Sequence, residues 1–256
     1  MRLRHAALAL ADTVVPAALF FSRKLPTYYA GAVVWPSREN WNTIFSRYEP
    51  HMALALKQHL HGGGTFWDIG ANVGWFSLFA FSIVGSSGHI ISFEPAPEVF
   101  RLLAQNTAGL PNVTIVQCGV GNADETGCFA AQGTSSASSF LKEITQINAH
   151  YLSDTPIESI SVPIKRIDTL VREVGSVPNV IKIDVEGYEL KVLQGAVELL
   201  SSRNPTLIIE IHPPQLSLSG GSEDELFTLL KRHGYKWHVI DANPNSLYTI
   251  TANRPG

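Results

Sequence analysis

Residues 66–81 read FWDIGANVGWFSLFAF. An apolar run carrying one acid, Asp68, gives way to Gly70-Ala71-Asn72-Val73-Gly74, and from Trp75 the chain resumes as an uncharged series of large side chains. A short apolar strand that breaks at small residues and restarts as a helix is the opening unit of a parallel α/β sheet. Glycine enters the left-handed region without penalty, and asparagine is among the few other residues that tolerate it. Gly70, Asn72 and Gly74 therefore permit a tight bend. In open sheets of this kind ligands bind at the carboxyl ends of the strands, where glycines let them approach the main chain and a helix start offers free N–H groups.

Outward from this unit, short apolar runs alternate with helical patterns. TFWDI (65–69), HIISF (89–93), VTIVQ (113–117), VIKID (180–184) and TLIIEI (206–211) read as strands of a parallel sheet with crossover helices on both faces. One helix is expected from Trp75 and a second after Pro95 and Pro97, with Val99, Leu102 and Leu103 as its apolar stripe. A third covers YELKVLQGAVELL (188–200), and a fourth covers EDELFTLLKRHG (223–234), which stops in Lys231, Arg232, His233 and Gly234. YKWHVI (235–240) and SLYTIT (246–251) are joined by DANPN, too short for a crossover helix, so an antiparallel hairpin closes the sheet. The expected division is a helical N-terminal extension over 1–60 and one domain over 61–256. Within it, 119–165 reads as an insertion or flap around AQGTSSASSF (131–140), flanked by strands near 127–130 and 159–164.

With 256 residues, 45% of them hydrophobic and 16% charged, the chain has apolar material for a substantial core. A net charge of −3 exerts no general pull on nucleic acid or an anionic membrane. Cys118 and Cys128 supply neither a disulfide framework nor a zinc-ligand pattern, so a reducing, cytoplasmic location is the simplest expectation. At the N-terminus Arg2 and Arg4 precede an apolar run to Phe21, in rough outline a signal peptide. Asp12 and Pro16 interrupt that run, no small-residue cleavage site follows, and it is shorter than the roughly 20 unbroken apolar residues that span a bilayer. A buried or partner-facing helix is expected there, with peripheral membrane contact as the alternative.

Glu94 stands at the end of the second strand, where a carboxylate can accept hydrogen bonds from both hydroxyls of a ribose. The dinucleotide fingerprint G-x-G-x-x-G starting at Gly70 would need glycine at Asn72 and Trp75, and tryptophan at the third position defeats it. Asp68 would repel a pyrophosphate but can hold an ammonium group. The expected ligand is a nucleoside with a cationic amino-acid tail, which S-adenosylmethionine fits.

WDIGANVGWFSLFA, ISFEPAPEVFRLLAQN, CGVGNADETG, IKIDVEGYELKVLQGA and PTLIIEIHP together, in this order from about residue 48 to 215, resemble the FkbM family of S-adenosylmethionine-dependent methyltransferases. The resemblance implies the class I methyltransferase fold, a Rossmann-like, mostly parallel seven-stranded sheet with a C-terminal antiparallel hairpin. It also implies that Asp68, Gly70, Ala71, Asn72 and Gly74 surround the methionine portion of the cofactor, with Asp184 beside it, and that Glu94 takes the ribose hydroxyls. Gly119, Val120, Gly121 and Asn122 would border the adenine; many relatives have an aspartate where this chain has Asn122. Tyr48-Glu49-Pro50 matches a family element ahead of the first strand and is assigned to the cofactor side. The acceptor implied is a hydroxyl on a sugar, glycolipid or polyketide-type metabolite.

Methyl transfer from a sulfonium releases a neutral leaving group, so it needs positioning and a base for an alcohol acceptor rather than an acid. The catalytic candidates at the ends of the fourth and fifth strands are Asp184, Glu186, Glu210 and His212. His212, with an ordinary pKa near ~6.5, suits a base at neutral pH. Glu186 could instead cap the next helix. Glu210, alone among apolar neighbours, needs a partner in Lys182, Arg166 or a cation. These groups could gather a divalent ion, but their spacing is no metal signature and no metal is expected to be required. Lys182 and Lys191 read as solvated or paired charges, Trp75 and Phe76 as core or pocket wall, and Asp168 as a helix N-cap. Two rival enzymes are a nicotinamide-dependent oxidoreductase or epimerase and a nucleic-acid methyltransferase, the latter suggested only by HPPQ (212–215). The remaining rival is a non-catalytic cofactor-binding protein. A small-molecule acceptor, and no nucleic acid, is the expected partner.

Overall fold

A computed structural model describes residues 27–29, 32–34, 49–131, 138–140, 156–242 and 247–255. Strands β1 (Thr27–Tyr29) and β2 (Ala32–Val34) pair antiparallel ahead of helix α1 (Pro50–His59). There follow β3 (Thr65–Ile69), α2 (Trp75–Val84), β4 (His89–Phe93), α3 (Pro97–Asn106), β5 (Val113–Val116), β6 (Gly119–Val120), β7 (Glu125–Ala131) and β8 (Glu158–Lys165). The remainder comprises α4 (Ile167–Val174), β9 (Val180–Ile183), α5 (Glu189–Gln194), α6 (Val197–Ser202), β10 (Thr206–Ile211), α7 (Pro213–Leu218), α8 (Glu223–Arg232), β11 (Lys236–Ala242) and β12 (Tyr248–Asn253).

Seven strands form one sheet in the order β11-β12-β10-β9-β3-β4-β5, and β6, β8 and β7 form a second, three-stranded sheet. From β10 to β5 every pairing is parallel, whereas β12 runs antiparallel to both β10 and β11. The hairpin expected from the sequence is present, with its last strand inserted between β11 and the parallel part. The chain lays β4 and β5 on one side of β3 and then returns to lay β9 and β10 on the other. Strand order therefore reverses between β3 and β9, the place where open α/β sheets bind ligands.

Side chains alternate between the faces of the sheet with period two. Trp67, Ile91, Ile181 and Leu207, with residues two places further on, pack with the apolar stripes of α4 to α8. Phe66, Ile90, Val180 and Ile208 pack against α1 and α2. Two residues after each of these come Asp68, Ser92, Lys182 and Glu210, all buried. The face covered by α1 and α2 is thus apolar in its first half and polar toward the carboxyl ends, over four adjacent strands.

One expected helix is two. The chain between Tyr188 and Leu200 breaks at Gly195, where an added Cβ would lie 2.0 Å from the carbonyl oxygen of Gly121. Asp168 stabilises the restart, its carboxylate accepting from Glu198 N at 3.1 Å and Leu199 N at 3.0 Å. Asp168 was expected to cap its own helix; that N-cap is Arg166, and Asp168 instead serves the free donors of α6. Helix α8 opens with a capping interaction, Glu225 N donating to Ser222 Oγ at 3.2 Å. Of the expected N-terminal extension, residues 1–26, 30–31 and 35–48 lie outside the described residues, and among those described no helix is long and apolar enough to cross a membrane.

Candidate active site

The turn after β3 is shaped by the chain's own crossing. Gly70 has φ +74°, and a Cβ there would stand 1.9 Å from the carbonyl oxygen of Asp184, at the exit of β9. Gly74, at φ +92°, would meet Leu103 at 2.7 Å. Asn72 takes the left-handed conformation anticipated for it, at φ +50°. The turn's N–H groups are also engaged internally. Those of Gly70 and Ala71 donate to Phe93 O, that of Asn72 to Glu94, that of Val73 to the Asn72 side chain and that of Gly74 to Ala71 O. Gly70, Ala71 and Asn72 line the cleft as expected, whereas Gly74 does not. The turn's amides are not free, those of Gly70, Ala71 and Asn72 being tied to the end of β4, and the close neighbour of Gly70 is the β9 exit.

Glu94 does face the cleft. One carboxylate oxygen accepts from Asn72 N at 3.0 Å and the other from Ala96 N at 2.9 Å. Burial pushes its pKa up to about 7 despite these two donors and the nearby Lys182. Trp75 and Phe76 line the same cleft, and Val99, Cys118, Phe129 and Phe140 give it an apolar wall. Gly119 and Val120 border it as expected. Gly119 lies directly under the Phe140 ring, where a Cβ would come within 2.2 Å. Asn122 does not border the cleft; it is exposed and donates to Gln194 at 3.4 Å.

Asp68 is likewise absent from the cleft wall. It is fully buried, accepts from Ser77 Oγ at 2.6 Å and stands 3.3 Å from Lys182 Nζ. Asp68 was expected to hold the cofactor's ammonium group directly; its carboxylate is instead paired with Lys182. That lysine lies 3.4 Å from Asp184 Oδ2, donates to Gly70 O at 2.8 Å and lines the cleft. Burial works against its charge, but Asp68, Asp184 and Glu49 outweigh it and hold the pKa above the usual lysine range. Two carboxylates around one ammonium leave a formal negative charge, suited to a cationic ligand. Tyr48 lies outside the described residues. Lys191 is paired, donating to Tyr188 OH at 3.2 Å.

On the far side of Lys182 the four catalytic candidates come together. Asp184 and Glu186 line the cleft, and Glu210 and His212 lie behind them. His212 Nε2 is 3.6 Å from Glu210 Oε2 and 3.8 Å from Glu186 Oε2, while Nδ1 is 2.9 Å from Glu189 Oε1. Burial alone would lower the His212 pKa, but Glu189, Glu186 and Asp184 push it up to about 10. The near-neutral imidazole base expected from the sequence is corrected accordingly. Burial raises Glu210 to about 10, aided by the neighbouring Asp184 charge. Burial would also raise Asp184, yet Lys182, His212 and a hydrogen bond from Glu210 hold it below the usual aspartate range. The partner of Glu210 is thus Asp184; Arg166 binds Asp168 instead, at 3.1 Å. Glu186 sits at φ +50° with its pKa raised to about 7 by burial, and no side-chain cap joins it to α5.

One member of this site escaped the sequence reading. Glu189 is fully buried and holds His212, but its partner is 23 positions away on another element, which no local pattern reports. Lys182 did leave a signal, as a lone cation within VIKID.

A model of the family described as Methyltransferase FkbM domain matches residues 68–237. Hexuronic acid methyltransferase AglP of Haloferax volcanii is 31% identical over 191 residues, covering 72% of this chain and 71% of that protein. The 31-O-demethyl-FK506 methyltransferase FkbM of Streptomyces tacrolimicus is 30% identical over 206 residues, covering 69% of this chain and 74% of its own length. Among solved structures, a methyltransferase FkbM from Methylobacillus flagellatus is 18% identical with a TM-score of 0.48, covering 74% of this chain and 43% of that one.

Proposed function

The chain belongs to the FkbM family of S-adenosylmethionine-dependent methyltransferases, and from that premise we propose that it methylates a hydroxyl of a sugar, glycolipid or polyketide-type acceptor. That membership does not favour the nicotinamide-dependent or the non-catalytic cofactor-binding reading. One observation carries the proposal. The same cleft has Glu94 on one side of the strand reversal and Asp184 with Glu186 on the other, so a nucleoside site and a carboxylate cluster face a shared space.

The residues fit the cofactor. Glu94 has each oxygen tied to one backbone donor, which fixes its carboxylate and leaves further lone pairs for the two ribose hydroxyls. The apolar wall of Val99, Cys118 and Phe129 suits adenine, and the Lys182–Asp68–Asp184 group suits the charged methionine end. When bound, S-adenosylmethionine supplies an electrophilic methyl group and departs without needing a proton. The chain's own contribution is to hold the acceptor oxygen at attack distance and to receive its proton. Asp184, kept ionised by Lys182, orients the hydroxyl, and Glu186 beside it on the cleft wall takes the proton. Relatives named for action on hexuronic acid and on a demethylated FK506 oxygen support an oxygen acceptor.

The test is incubation of the purified chain with methyl-labelled cofactor and a panel of uronic-acid glycans, glycolipids and hydroxylated polyketides, followed by mass spectrometric location of the label. Transfer to oxygen is expected. Label found on nitrogen or carbon, or no transfer from a chain that still binds S-adenosylhomocysteine, would reject the hydroxyl acceptor.

A further inference from the structure

We propose that Asp184, Glu210 and His212 bind one divalent metal ion at the acceptor side of the cleft. One ligand atom from each of the three lies within 4.8 Å of the others. Ligand bonds of about 2.0–2.4 Å allow donors around one ion to be at most ~4–5 Å apart, so the existing spacing needs little adjustment. The three come from neighbouring parallel strands whose register pairs Ile183 with Ile209, which sets Glu210 level with Asp184. A site on strand ends is held by the sheet itself.

His212 points to a ligand independently of the carboxylates. It is only 3% exposed, and its Nδ1 is held by Glu189, whose same oxygen also accepts from Gly187 N at 2.9 Å. The carboxylate at Nδ1 fixes the ring so that Nε2 faces Glu210 and Glu186, and an ion binding there would displace the Nε2 proton that the surrounding carboxylates otherwise stabilise. At 3.6 Å and 3.8 Å, Nε2 is too far from Glu210 and Glu186 for a hydrogen bond, yet well within the spacing of two ligands on one cation. A buried carboxylate behind a histidine is the arrangement that orients imidazole ligands in metal sites. Lys182 reaches only Asp184 of the three, its other contacts being Asp68 and the Gly70 carbonyl, so it leaves Glu210 and His212 to the ion.

Two carboxylates and one imidazole, with Asp184 reaching the cleft, form a mixed oxygen and nitrogen set suited to Mn²⁺ or a similar first-row ion. Positions on the cleft side go to water or to the acceptor's oxygen, whose pKa the ion lowers and whose direction it sets. That catalytic role rests on the hydroxyl-acceptor reading; the binding site does not.

The experiment titrates Mn²⁺ into the chelator-treated full chain, following free Mn²⁺ by electron paramagnetic resonance. One saturable site is expected, weakened by about tenfold or more in Glu210→Gln, His212→Gln and Glu189→Gln. Melting curves and S-adenosylhomocysteine binding establish that each variant is folded. The electron spin echo spectrum of the Mn²⁺-loaded unaltered chain needs no variant and should show one coordinated histidine nitrogen. No saturable binding, binding without a histidine signal, or affinity unchanged in folded variants would overturn the site. If Mn²⁺ binds as expected but methyl transfer is equal with and without chelator, the catalytic role falls. If no hydroxyl acceptor is methylated under any metal condition, the acceptor reading falls while the titration still decides the site.

Discussion

Lys182 Nζ donates to the carbonyl oxygen of Gly70 at 2.8 Å, joining two positions 112 residues apart across the strand reversal. The same ammonium lies 3.3 Å from Asp68 and 3.4 Å from Asp184, so one buried cation links the floor of the cofactor side to the first carboxylate of the acceptor side. Removing it leaves buried carboxylates without their counter-charge. Lys182→Met should destabilise the protein by about 3–5 kcal/mol in chemical denaturation, and adding Asp68→Asn should recover part of the loss. A single variant within about 1 kcal/mol of the parent would show that solvent already compensates these charges.

Glu94 ties cofactor affinity to pH. Its pKa, about 7 in the ligand-free protein, must be passed before the carboxylate can accept both ribose hydroxyls. S-adenosylhomocysteine affinity should rise with pH to about 7 and then level off, falling by up to about tenfold per unit below it. The sign for stability is opposite. Because the folded-state pKa is raised, the contribution of Glu94 to ligand-free stability is full below the unfolded value of 4.5 and is lost as pH rises through about 7. Calorimetric titration across that range is the check. Glu94→Gln should bind at least about tenfold more weakly and with a flatter pH profile; a pH-independent parent would remove the assignment.

The two glycines of the first turn should differ in tolerance. Gly70→Ala forces a side chain onto a main-chain carbonyl at a positive φ, so a loss above about 3 kcal/mol and displacement of Asp184 are expected. At Gly74 the obstacle is the movable end of Leu103, and about 1–3 kcal/mol should suffice. Urea unfolding midpoints of the pair decide; equal losses would count against the β9 crossing as the reason for Gly70.

Asp168 separates structure from chemistry. Asp168→Ala removes the cap of α6 and should cost about 1–2 kcal/mol, lowering the melting temperature. Below that temperature, cofactor affinity should be unaltered. A selective loss of affinity without a change in melting would assign this acid to the cleft instead.

From the sequence by itself one could determine the strands of the seven-stranded sheet, their order along the chain and the glycine turn, because these follow from local periodicity and backbone permissiveness; β1 and β2, within the expected helical extension, were not legible. TFWDI, HIISF and TLIIEI coincide with β3, β4 and β10 residue for residue. Glu94 was legible for the same reason, since the end of a strand beside such a turn can be located without knowing what packs on it. The break at Gly195 was not, because it answers to Gly121 on a distant element. Only the tertiary structure decided that Asp68 belongs to Lys182, that Asn122 turns away, and that Glu189 holds His212. These are contacts between strands and helices far apart in the chain, and the charge state of each group depends on burial and neighbours that the fold alone brings together.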